Sequence, residues 1–68
     1  SMTDEELEEF RRALVTEEMD KVEKFLAKQP DLEKGFPRTG GTPLYEVAMR
    51  LETTVALERL LAAGANPN

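Results

Sequence analysis

The run Gly40-Gly41-Thr42-Pro43-Leu44-Tyr45, answered downstream by Leu60-Leu61-Ala62-Ala63-Gly64-Ala65-Asn66-Pro67-Asn68, is the most informative part of the chain. Thr42 is a good helix N-cap, because its hydroxyl can accept a free first-turn N–H. Pro43 then falls at the first helical position, where its φ is preset and its missing N–H costs nothing. Leu44, Val47, Ala48 and Leu51 follow on one face at helical spacing. Thr53 or Thr54 caps a further helix carrying Leu57, Leu60 and Leu61. Gly64 stands at the C′ position, where a left-handed conformation is cheap for glycine. The run therefore reads as a helix, a turn, a second helix and a Gly stop.

Working upstream, a second pair emerges. Thr3-Asp4-Glu5-Glu6 has the form of a capping box, with Met2 and Leu7 placed as a hydrophobic staple. Asp4, Glu5, Glu6 and Glu8 sit where the helix dipole favours acids. Leu7, Phe10, Ala13 and Leu14 make its apolar stripe, so the helix runs from about Asp4 to Val15. Thr16 is the natural cap for the next helix, with Glu17, Glu18 and Asp20 in its first turn. Met19, Val22, Phe25 and Leu26 give its stripe, and it ends near Gln29 at Pro30. Residues 30–41 are dense in Gly and Pro and read as a loop with room for a short hairpin. The two pairs match at a shift of 35: Phe10 falls on Tyr45, Ala13 on Ala48, Val22 on Leu57, Ala27 on Ala62 and Asp31 on Asn66. A helix-turn-helix unit recurring at such a period indicates an all-α stacked solenoid. Residues 3–35 form one pair and 36–68 the other. Ser1-Met2 reads as a tag remnant before an initiator Met. The stop in mid-loop at Asn68 reads as a cut from a longer protein.

Composition narrows the chemistry. Sixty-eight residues make one small domain, which buries only about 60% of its unfolded surface. With no Cys and no His, disulfides, Cys/His zinc sites and Cys or His catalysis are excluded. Fourteen acids against nine bases leave a net charge of −5, which disfavours nucleic acid and anionic lipid as partners. The longest apolar run, Leu60-Leu61-Ala62-Ala63, is far too short for a bilayer or a signal peptide. Cytoplasm or nucleus is the expected compartment.

Residues 40–68 resemble the ankyrin repeat, whose pattern is G-x-T-P-L-H-x-A followed by a second helix ending L-L-x-x-G-A-D/N-x-N. Residues 3–35 resemble the family's degenerate N-terminal capping repeat, keeping the helix pair without T-P-L-H. The resemblance implies an ankyrin-like solenoid of two repeats, about four helices in all, with a turn-rich finger loop between them. It gives Gly40, Thr42, Pro43, Leu44, Tyr45, Ala48, Leu60, Leu61, Gly64 and Asn66 structural parts. Leu44 would fill the inter-repeat core, Ala48 would let helices approach, and Asn66 and Asn68 would satisfy the following turn. Departures are Tyr45 for the usual His, Val47 for the usual Ala, and Leu51-Glu52-Thr53-Thr54 for the inter-helix Gly, an irregular or helical joint. An array generally needs three or more repeats. Leu44, Leu57 and Leu60 would therefore lie partly open at the C-terminal end.

Several motifs weigh lighter than they look. The carboxylates Asp4, Glu5, Glu6, Glu8 and Glu9, like Glu17, Glu18 and Asp20, fit capped, solvated first turns better than acid/base chemistry. No calcium-loop pattern exists. Gly40-Gly41-Thr42 lacks the Lys of a phosphate loop and fits a tight turn before a cap. Arg11-Arg12 reads as a solvated pair with Glu8 as partner, not a nucleic-acid patch. Phe36 stands in the loop beside Pro37, off any helical stripe. It is either tucked against the core or held out as an anchor for a partner. In the resembled family the finger and exposed inner-helix positions contact ligands. Here those are Arg38, Thr39, Gly41, Met49 and Arg50, with Phe36 in the same loop.

The expectation is a non-catalytic protein-protein interaction module, regulatory or inhibitory in some members of the resembled family, with no cofactor and no metal. A structural alternative is an N-terminal unit whose open C-terminal face docks further repeats or a copy of itself. Nothing pairs a nucleophile with a base, so an enzyme carries least weight.

Overall fold

The computed structural model describes residues 1–68 and is all-helical, with no strand. Its order is α1 (Asp4–Val15), α2 (Met19–Leu26), α3 (Pro43–Ala48) and α4 (Thr54–Ala62). α1 packs on α2, α3 on α4, and α1 on α3. The two pairs thus join mainly through their first helices.

Local chemistry explains most of the boundaries. The Thr3 hydroxyl accepts from the Glu6 N–H at 3.1 Å, and the Glu6 carboxylate accepts from the Thr3 N–H at 3.0 Å. The expected capping box is complete, and Met2 and Leu7 both rest on the core. Thr42 caps α3 through the Tyr45 N–H at 3.1 Å, with Pro43 at its start. Asp31 and Asn66, matched at the shift of 35, make the same turn. Each side-chain oxygen accepts the N–H two residues on, from Glu33 and Asn68, at 2.9 Å.

Three helices close through a left-handed residue. α4 ends in a Schellman motif, with Ala65 N–H on Leu60 C=O, Gly64 N–H on Leu61 C=O and Gly64 at φ 101°. α1 ends the same way, through Glu18 N–H on Ala13 C=O and Glu17 N–H on Leu14 C=O, with Glu17 at φ 54°. α2 has Gln29 at φ 55° and keeps only the Gln29 N–H bond to Leu26 C=O. Pro30 follows and has no N–H for the second bond.

Thr16 belongs to α1, not to α2. Its hydroxyl donates back to Arg12 C=O at 2.8 Å and to Glu18 at 2.9 Å, so it terminates the first helix. α2 consequently starts later, at Met19, behind an uncapped Glu18. It also ends earlier than Gln29, at Leu26, because residues 27–29 tighten into the closing turn. Thr53 precedes α4 but turns its hydroxyl toward α3, donating to Val47 C=O at 2.6 Å and Arg50 C=O at 3.3 Å. The joint 51–53 is a turn.

Phe10, Leu14, Val22, Leu60 and Ala56 are fully buried at the core's centre. Two expected packing roles shift. Ala48 is exposed, and Val47 beside it is the buried residue of α3. Leu60 is also buried, because it lies one turn from Ala56 on the inward side of α4, and Leu44 and Leu57 are partly covered. The large apolar side chains left open are Tyr45, Met49, Leu51, Val55 and Leu61.

Candidate functional site

The loop between the pairs is closed by two backbone bonds of 2.8 Å, Phe36 N–H to Gly41 C=O and Gly40 N–H to Phe36 C=O. Pro37, Arg38, Thr39 and Gly40 form its exposed tip. Phe36 is not part of that tip. Only 3% of it is exposed, and its ring meets Phe10 edge-on with centroids 5.9 Å apart, while Phe25 lies tilted against Phe10 at 5.6 Å. A ring so placed anchors the loop to the core and offers nothing to a partner, which corrects its place among the candidate contacts. Arg38 and Thr39 keep the exposure expected of them, as do Met49 (64%) and Arg50 on the far end of α3.

Gly41 has a steric role instead. A Cβ there would lie 2.5 Å from Glu46 Oε2 and 2.7 Å from the Tyr45 ring. Its bareness lets the Glu46 carboxylate tuck under the loop. Glu46 is 6% exposed and sits between two guanidinium groups. Arg11 lies 3.9 Å from Glu46 Oε1 and Arg50 4.0 Å, and Arg50 also donates to Glu46 C=O at 2.6 Å.

Arg11 extends the network. It donates to Glu8 through Nε at 3.1 Å and NH2 at 2.7 Å, and Arg12 Nε adds a bond at 3.3 Å. The hydrogen bonds from Arg11 hold Glu8 down at about 2, helped by the charges of Arg11 and the loop's Arg38. Arg11 is raised in turn, first by its bonds to Glu8. α1, α3 and the loop tip thus share one charged surface carrying Arg11, Arg12, Arg38 and Arg50 around Glu8 and Glu46. The sequence showed the Glu8–Arg11–Arg12 pairing as a helical spacing. It did not reveal the burial of Glu46 or its approach to Arg11 on another helix, although Arg50 stands at the i+4 spacing. Such a surface can hold carboxylates by forked hydrogen bonds and pack apolar groups against Met49.

A groove of about 540 Å³ runs between α1 and α2, lined by Glu9, Arg12, Glu18, Lys21, Lys24 and Lys28 over Ala13 and Phe25. Its cations are mostly engaged: Arg12 with Glu8, Lys21 with Glu18 at 3.2 Å and Lys28 with Glu6 at 2.5 Å. No group of three or more acidic side chains is placed to hold a metal ion. No helix is long and apolar enough to cross a membrane.

Three contacts tie the pairs together on their other side. The Glu17 carboxylate accepts from the Ala56 N–H at 2.9 Å, supplying the cap that α4 lacks locally. Arg59 forks onto Glu23 at 2.6 and 2.9 Å, which lowers Glu23 and raises Arg59. Glu33 accepts from the Asn66 N–H at 3.0 Å. No protein-family model, curated protein or solved structure matches the chain.

Proposed function

We propose that this chain is a non-catalytic protein-interaction module of ankyrin-like architecture, working in the cytoplasm or nucleus. Its partner is a protein, bound by the loop tip and the exposed end of α3 through Arg38, Thr39, Met49 and Arg50. The observation that carries this reading is α3 itself. A helix of six residues buries Pro43, Glu46 and Val47 yet leaves Tyr45 57% exposed, with Met49 at its C-cap 64% exposed. Large apolar groups flanked by exposed arginines are the composition of interface centres. Regulation or inhibition of the partner follows if the covered face is its working surface.

The test replaces Arg38, Met49 and Arg50 together by Ala and compares partner capture by the two proteins from the same lysate. Partners retained by the parent should be lost by the variant while its circular dichroism is unchanged. Capture at full strength by the variant would refute the surface assignment.

A second reading is favoured by the exposure of Tyr45, Met49 and Leu61 together. The chain is then a structural unit whose open face receives another repeat or self-associates.

A further inference from the structure

The shift of 35 residues turns the interface between the pairs into a template for the open face. Phe10, Ala13 and Leu14 are at most 1% exposed in the core that α1 shares with α2 and α3. Their counterparts Tyr45, Ala48 and Met49 are all exposed. Leu26 is partly buried, and its counterpart Leu61 is 42% exposed. The polar contacts translate as well. Glu17, which caps the start of α4 through Ala56, corresponds to Glu52. Glu23, which holds Arg59, corresponds to Glu58. Both Glu52 and Glu58 are exposed, and neither enters any ion pair.

We propose that the face of Tyr45, Ala48, Met49 and Leu61, edged by Glu52 and Glu58, docks a helix pair with the chemistry of α3–α4. That partner brings an uncapped helix start whose N–H meets Glu52 and a basic side chain that forks onto Glu58. The proposal rests on the second reading above and specifies its occupant. An intact second copy is not that occupant. Its own Ala56 N–H and Arg59 are already held by Glu17 and Glu23, and two open faces laid together would oppose like carboxylates.

The probe is a tandem chain in which a second copy of residues 34–68 follows Asn68 directly, preserving the 35-residue register. The tandem should melt in one transition about 5 °C or more above the parent. Glu58→Gln, crossed with Gln at the appended copy's counterpart of Arg59, should show a coupling of about twofold to fivefold in the unfolding equilibrium. Glu52→Gln should lower the tandem's Tm and leave the parent's unchanged. Tyr45→Glu with Met49→Glu should erase the tandem's gain without moving the parent. An appended copy that stays unfolded or melts separately overturns the proposal, as does a gain that survives Tyr45→Glu and Met49→Glu. A parent that dimerises with concentration through Tyr45 and Met49 assigns the face to its own kind and also overturns it. Partner capture by an Arg38→Ala, Arg50→Ala chain leaves Tyr45, Met49, Glu52 and Glu58 untouched, so the two readings fail separately.

Discussion

Gln29 and Glu17 hold nearly the same backbone conformation, φ 55° and 54°, at the ends of α2 and α1. They differ in what the side chain does. Gln29 is exposed and its side chain holds no partner, whereas Glu17 caps α4 across the domain. A non-glycine residue in the left-handed region costs about 1–2 kcal/mol. Glycine's greater freedom when unfolded returns about 0.4–1 kcal/mol of that. Taking the middle of each range, Gln29→Gly should therefore stabilise the domain by about 0.5–1 kcal/mol, a Tm rise of about 2–8 °C at this size. Glu17→Gly gains the same backbone relief but forfeits a helix cap, at about 1–2 kcal/mol. Its net effect should run from neutral to about 1.5 kcal/mol destabilising. Urea unfolding followed by helical circular dichroism reads both midpoints. Equal stabilisation by the two glycines would show that the Glu17–Ala56 bond contributes nothing. Destabilisation by Gln29→Gly would refute the strain argument itself.

Three further outcomes follow from the packing and the charges. Phe36→Ala should cost about 3–5 kcal/mol, and Phe36→Leu less than about 1.5 kcal/mol, because the ring fills core volume against Phe10; thermal melts of the two variants decide this. Gly41→Ala should cost about 1–3 kcal/mol by driving Glu46 from under the loop, and Glu46→Ala in the same chain should relieve most of that. The hydrogen bond from Lys28, helped by the capping bond from Thr3, holds Glu6 at about 2, and Arg11 holds Glu8 at about 2, against an ordinary 4.5. Folded carboxyls held below their unfolded value stabilise above pH 4.5 and lose that contribution as pH falls toward 2. Urea midpoints should drop across that window, and drop less in a Glu6→Gln, Glu8→Gln chain.

The boundaries written in short-range chemistry were legible beforehand. Thr3 with Glu6 fixes the start of α1, Thr42 with Pro43 that of α3, and Gly64 the end of α4, because each acts within four residues of itself. Thr16 was misread because a threonine between two helices can close one or open the other. Its hydroxyl is settled by Arg12 C=O, a choice that pattern does not reveal. Phe36 was open for the same kind of reason: its burial depends on Phe10, a residue of the other helix pair. At the candidate surface, Arg38, Met49 and Arg50 were reached only through the resemblance, as finger and inner-helix positions. The burial of Glu46 was invisible, since one of its two partners, Arg11, lies 35 positions away and its shelter is the missing side chain of Gly41.

The cap that Glu17 lends to α4 also couples the two helix pairs. α4 is nine residues long and lacks a side-chain cap from its own neighbour. Helices that short do not persist alone in water. Its first turn is completed only when the end of α1 has already bent into place. The start of α4 is therefore tied to the closing turn of α1 through one carboxylate, so loosening that turn at Glu17 frays α4 as well.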